Sequence, residues 1–284
     1  MTTADVNKYV SNYLKTVQKL GKTLKSIESY EKSPPEHVNQ IEKAYKDMKK
    51  IIPTLPAAGE FKQILDEWII DFTPHVNDLK SEFEFKFGNR LSELLTAKGL
   101  TLQGRYPNFT VEFCNIEINA DQGQAVIYYG NKYETLARSG NSPADIFASL
   151  LKARDELMSR QYNATDFLQK VYKAYLMTLS ELNIPPDEDV PIMRILDKLV
   201  WMEQSAKFYE DPKKEYFKDY TRAQFSYDLY RLIVRDYQGK QLRMRTATVK
   251  FMQNKSERLW VLRGGGGHFE PYSHICFGTI KEGS

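Results

Sequence analysis

A chain of 284 residues, 42% hydrophobic and 27% charged, has the composition of an ordinary folded protein and is long enough to divide into two units. It carries no low-complexity tract and no apolar run near the ~20 residues of a membrane span, which argues against disorder and membrane insertion. The formal net charge is +3, yet ten basic residues between Arg222 and Arg263 face only Asp228, Asp236 and Glu257, a local net of +7, and a focused basic face attracts polyanions.

The opening MTTADVNKYVSNYLKT lacks the apolar stretch of a secretory signal, so a cytoplasmic location is expected. Cys114 and Cys276 stand far apart in β-like stretches, which excludes a disulfide framework and reads as buried thiols.

In chain order, Val6, Val10, Tyr13, Val17, Leu20, Leu24 and Ile27 step by alternating fours and threes, the seam of a packed helix. Ser33-Pro34-Pro35 stops it, and Val38, Ile41, Tyr45, Met48 and Ile52 form a second seam, so the two helices are expected to make a hairpin. Internal packing is the simpler reading of the first seam. A partner's helix or a second copy of the chain could occupy it equally well, which makes Val6, Val10, Tyr13, Val17, Leu20 and Leu24 candidate partner-binding residues. Tyr9 and Tyr30 add apolar area beyond the seam. A third helical region runs through Phe61, Leu65, Trp68 and Phe72 and resumes after Pro74 with Val76, Leu79, Phe83 and Leu91, completing an antiparallel helical bundle.

From Leu100 to Arg138 the pattern changes to strands, Phe109–Cys114 and Gln124–Tyr129, expected to form a β-hairpin around the turn Asn119–Gly123 that Tyr133–Leu136 could extend. Ser142-Pro143-Ala144-Asp145 then announces a helix, and another follows from about Thr165. Pro185-Pro186-Asp187-Glu188-Asp189 is the best candidate linker. The domain reading is therefore 1–183, a helical bundle with a β-hairpin inserted at about 100–138, and 190–284, a basic α+β domain.

Beyond the linker come a helix to about Tyr209, a second expected from Thr221 to Tyr237, and strands at Leu242–Met252, Leu259–Leu262 and Tyr272–Ile280. Helices followed by a hairpin with a glycine tip give the order of a winged-helix-like domain. In such a domain the helix before the sheet enters the major groove. Arg222, Gln224, Arg231 and Arg235 would be its reading face, and Lys240, Arg243, Arg245, Lys250, Lys255, Arg258 and Arg263 would extend the footprint over phosphate. The plainer alternative is a solvated basic face that docks acidic protein.

The remaining motifs are weaker. Leu20-Gly21-Lys22-Thr23 lacks the first glycine and the preceding strand of a phosphate-binding loop. The tetraglycine Gly264–Gly267 leads into His268-Phe269-Glu270-Pro271 and not into a helix, so a mobile wing tip or a β-turn is expected. His268, His274 and Cys276 offer zinc-type donors without a fourth ligand, and no metal or cofactor is assigned. Glu112, Glu117 and Asp121 could cluster as carboxylates, but the alternation around Phe109, Val111 and Phe113 puts Glu112 on a solvent face. No catalytic residue is assigned.

The fold expected is mainly α with an α+β C-terminal part. The function expected is that of a non-catalytic accessory subunit of a larger complex, in chromosome maintenance or defence against phage and plasmids. Its helical part would dock a partner and its basic end would contact double-stranded DNA. A homodimeric transcription regulator and a metal-dependent nuclease are the competing expectations.

Overall fold

The computed structural model describes residues 3–55, 60–264 and 266–279. Its contacts divide the chain into two compact units. The first holds residues up to Phe109 with Ile118–Ala125 and Gly140–Ala144, and the second holds Thr110–Glu117, Val126–Ser139 and Asp145 onward. N-terminal helices and a C-terminal antiparallel sheet make up the main architecture.

The first unit is built on α1 (Thr3–Tyr30), α2 (Pro34–Ile51) and α3 (Glu60–Thr96). Pro34 and Pro35 occupy the first turn of α2, where a missing backbone N–H costs no hydrogen bond. Only three residues separate α1 from α2, and the two helices pack together, as do α2 and α3. Leu20, Met48, Ile52 and Leu65 share one buried cluster, and Ile41, Tyr45 and Val76 form another. Where the sequence suggested a break at Pro74, α3 runs through it. The carbonyl that Pro74 leaves without an intrahelical donor belongs to Ile70, an exposed position open to water. Thr73 meanwhile donates to the Ile69 carbonyl at 2.6 Å and shares a 2.6 Å hydrogen bond with the Tyr45 hydroxyl.

The central region holds more strands than the single hairpin expected. β1 (Gln103–Arg105), β2 (Asn108–Val111), β3 (Cys114–Asn119), β4 (Gln124–Tyr129) and β5 (Glu134–Gly140) pair in sequence order. The predicted turn between β3 and β4 is present, with Gly123 at φ 63° and the Asn119 side chain accepting from the Gln122 N–H at 3.0 Å. β5 begins in the Tyr133–Leu136 stretch that could extend the hairpin, the strand expected over Phe109–Cys114 divides at Glu112-Phe113 into β2 and β3, and β1, with three residues, is too short to show a pattern.

In the second unit, α4 (Pro143–Met158) and α5 (Ala164–Leu182) precede β6 (Val190–Pro191), α6 (Ile192–Met202), α7 (Ala206–Glu210), α8 (Arg222–Arg231), β7 (Asp236–Tyr237), β8 (Lys240–Thr246), α9 (Val249–Met252), β9 (Leu259–Arg263) and β10 (His268–Thr279). Asn163 caps α5 by accepting from the Thr165 and Asp166 N–H groups, and Asn183 ends it in the left-handed region. β10 is the spine of the sheet: Tyr272 faces Thr246 of β8 on one side and Leu259 of β9 on the other, and further along Ile275 faces Val190 of β6. A single large core of Val171, Tyr175, Ile195, Leu199, Phe225, Leu229, Val261, Ile275 and Phe277 lies against this sheet.

Several element boundaries differ from expectation: the helix expected to reach about Tyr209 ends at Met202 with α7 as a separate short helix, and the last strand starts at His268 and not at Tyr272. α8 stops at Arg231 and not at Tyr237, because Asp236-Tyr237 must run extended to enter the β7–β8 hairpin, whose turn places Gln238 and Gly239 at φ 50° and 74°. The strand expected over Leu242–Met252 ends at Thr246, and Val249–Met252 forms a helical turn. Ile280, the expected end of the last strand, lies outside the described residues. The segment proposed as a linker is tied to its own unit: the Tyr175 hydroxyl donates to the Glu188 carbonyl at 2.8 Å, and Asp187 and Asp189 pair with Lys240 and Arg245.

Candidate functional site

The residues expected to read nucleic acid separate into an inward and an outward set. α8 is buried along most of its length, with Ala223 and Phe225 through Leu229 all covered. Arg222, with 16% of its side chain exposed, donates to Glu134 at 2.5 Å and to the Arg258 carbonyl, and Lys255 reaches the same Glu134 carboxylate at 2.8 Å. Gln224 spends its amide oxygen on the Thr221 N–H at 2.8 Å, closing a capping box. Arg231 pairs with Asp228 and lies 4.0 Å above the Tyr162 ring.

Asp228 is 4% exposed on its side chain and also accepts from Arg160 at 3.1 Å and Tyr220 at 2.8 Å. Three donors around one buried carboxylate make a structural clasp, since an ion out of water is stable only when its lone pairs are satisfied. Burial, followed by the charge of Asp228, raises the Tyr220 phenol far above its ordinary range, so it stays a donor.

Arg235 lies past the end of α8 and is half-buried, and burial together with the Arg263 charge lowers its pKa. Arg258 donates to the Met252 carbonyl. Lys240, Arg245 and Arg263 pair with Asp187, Asp189 and Glu270. Much of the segment's +7 is thus matched by carboxylates elsewhere in the chain. Exposed pairs such as Arg245–Asp189 are worth little and yield readily to a phosphate. Arg243 and Arg245 alternate on β8 and are both exposed, Arg243 beside Gly278 and Arg245 opposite His274 on β10. Among the described residues, Arg243 and Lys250 have no carboxylate within 4.0 Å. Arg243, Arg245 and Lys250 face solvent, as do the carboxylate-paired Lys255 and Arg263.

The tetraglycine is not a free tip throughout. A Cβ on Gly267 would sit 2.5 Å from the Glu112 carbonyl oxygen, so this glycine is required by close backbone approach. Arg263 and Glu270 pair across the hairpin at 3.1 Å.

The heptad seam of α1 changes character along its length. Leu20 and Ile27 are buried, whereas Tyr9 is 62%, Val10 46%, Tyr13 37% and Leu14 54% exposed. Val17 and Leu24 are partly covered. The Val6 side chain lies outside the described residues. Leu14 falls outside the strict seam, but it stands one turn after Val10 and widens the stripe, a signal that i, i+4 spacing could have given.

The candidate chemical clusters do not assemble. Among the described residues no three His, Cys, Asp or Glu side chains converge as a metal site. Burial, against the opposing charge of Asp189 and helped by that of Arg245, lowers the His274 pKa; burial raises the Cys276 thiol and pushes Cys114 up to about 12. Both thiols therefore stay protonated and unreactive at neutral pH. Glu112 and Glu117 are taken separately, by Arg154 at 2.7 Å and by Lys132 at 2.6 Å. A cleft of about 470 Å³ in the second unit is walled by Arg194, Arg222, Phe251, Ser273 and His274, with Ser273 Oγ and His274 Nδ1 2.9 Å apart. An apolar slot of about 240 Å³ in the first unit is lined by Val38, Leu79, Phe83 and Phe87. Among the described residues no helix is long and apolar enough to cross a membrane.

Compared with family models, with curated proteins and with solved structures, the chain finds no match.

Proposed function

We propose that the protein is a non-catalytic accessory subunit that docks a helical protein partner through the amino-terminal half of α1. The observation that carries this reading is the change along one seam: the same heptad spacing that buries Leu20 and Ile27 continues outward through Tyr13 and Val10, which are exposed among the described residues. Apolar stripes of this width cost solubility unless a partner covers them. Glutamate at Tyr13 and Leu14 together should abolish capture of a partner that the unaltered chain retains and that binds again when both are purified. Retention of every partner by the double variant would refute the reading.

A second surface is favoured by Arg243, Arg245 and Lys250, three of the cations open to solvent. We read these as contacting the phosphate backbone of nucleic acid in a winged-helix-like domain, with the face of β8 supplying the contact in place of α8. The test is binding to a labelled random duplex and a single strand across a salt series with magnesium present. Neutralising Arg243 and Arg245 should lower the slope of log affinity against log salt by about 2. Absence of binding at low salt would remove nucleic acid from the reading and leave acidic protein as the ligand of this face.

A further inference from the structure

The phosphate-contacting reading of the β8 face leaves the form of the nucleic acid open, and we infer that it is a single strand, one base of which enters the cleft beside Ser273 and His274. This rests on that reading and adds the strandedness of the ligand and the site that takes a base.

The cleft lies where β10 changes neighbours. On one side β10 pairs with β9 as far as Tyr272 opposite Leu259, and from His274 onward it pairs with β6. On the other side Tyr272 faces Thr246 and His274 faces Arg245 of β8, so Ser273 is an extra residue with no partner, a β-bulge. In a regular strand successive side chains point to opposite faces. At the bulge Ser273 and His274 both line the same cleft of about 470 Å³. Bulges re-aim side chains in this way beside functional sites.

Across from them stand Met193, Arg194 and Asp197 of α6, Phe251 of α9, and Glu257. The Phe251 and His274 rings meet edge to face with centres 5.0 Å apart. A base needs a ring to stack on and polar groups for its edge. Phe251 and His274 supply the first. Arg194 donates to base carbonyls and ring nitrogens, and Asp197 and Glu257 accept from amino groups. Arg194 and Asp197 are 4.0 Å apart and both exposed, so they are free to turn toward a ligand.

The cations adjoin this cleft. Directly opposed residues of an antiparallel pair share a face, which puts Arg245 beside His274 and Arg243 beside Cys276. Arg243 is about 7 Å further along β8 than Arg245, close to the separation of neighbouring phosphates in an extended strand. Lys250 Nζ lies 5.8 Å from the centre of the Phe251 ring. Phosphates held by these three groups bring the attached bases to the rings. A paired base reaches such a cleft only by flipping out of its stack at a cost, whereas an unpaired strand presents its bases freely.

The test compares binding of the full chain to a labelled single strand, to the duplex of the same sequence and to an abasic strand of the same length, each across a salt series. The intact single strand should bind about tenfold or more tighter than the duplex and the abasic strand at equal salt. Phe251→Leu keeps the apolar bulk and removes the stacking face. It should weaken single-strand binding about five- to 100-fold and leave abasic binding and the salt slope unchanged. Should Phe251→Leu unfold the chain by circular dichroism, Arg194→Ala, at an exposed side chain, decides in its place by the same pattern. Equal affinity for intact and abasic strands, a duplex bound as tightly as the single strand, or a folded Phe251→Leu chain that binds the strand unchanged overturns the base site and leaves phosphate contact standing. Absence of binding to all three ligands at low salt removes both.

Discussion

The helices of the first unit and the α+β core of the second carry apolar residues to different ends. In the second unit one cluster joins helices α5, α6 and α8 to the sheet, and even its charges are turned inward, with Asp228 held by Arg160, Arg231 and Tyr220. In the first unit the apolar residues form smaller clusters and then run on, uncovered, along α1. A seam in sequence reports only that a helix face is apolar. Whether the face is spent inside the fold or kept for a partner depends on how far the neighbouring helix reaches.

Substitutions should expose this difference in graded form. Phe225→Ala, at a fully buried ring in the second core, should cost about 3–5 kcal/mol in denaturant unfolding. Asp228→Ala should cost about 3 kcal/mol, because Arg160 and Arg231, both partly buried, would be left as uncompensated cations; a loss under ~1 kcal/mol would show that water already reaches the clasp. Leu20→Ala, at the covered end of the seam, should cost roughly 2–4 kcal/mol. Leu14→Ala, six residues earlier, should change stability by less than about 0.5 kcal/mol. Equal losses at Leu14 and Leu20 would contradict the division of α1 into a covered and a free half.

The smallest effect expected is electrostatic. Burial alone would raise the Glu42 carboxyl, but hydrogen bonds and charges from Lys80 and Lys46 outweigh it and hold the pKa below its ordinary 4.5. A depressed carboxylate stabilises the fold above its unfolded pKa, and that contribution is lost as pH falls through the folded value. Thermal unfolding of Glu42→Gln against wild type should therefore show a stability gap at pH 6 that closes as the pH drops below 4.5. A gap that persists into acid would mean that the 2.9 Å contacts of Lys46 and Lys80 with Glu42 contribute through shape and not charge.

The basic segment shows where sequence reading reached its limit. The concentration of charge between Arg222 and Arg263 was plain in the residue count, but the acids that answer it, Glu134, Asp187, Asp189 and Glu270, stand outside that stretch. Arg222 and Glu134 are 88 positions apart and meet at 2.5 Å. Nothing in local spacing announces such a pair. In α8, Arg222, Gln224 and Arg231 suggested a solvent face, yet the helix is largely enclosed, with Arg222 held by Glu134, Ser226 by Tyr129 and Arg231 by Asp228. Enclosure of a helix with polar residues is possible only when partners arrive from other elements.

The sequence by itself determined where most of the longer helices start, because heptad spacing, proline starts and the cap at Thr221 act within a few residues. It determined the turn at Asn119–Gly123 and the excess of positive charge near the end for the same reason. Tertiary structure decided the end of α8, the pairing of five strands in the central region, the role of Gly267 beside Glu112, and which cations and apolar residues remain in water. Those outcomes depend on groups brought together from distant parts of the chain, and burial is a property of the assembled surface that no local pattern of residues carries.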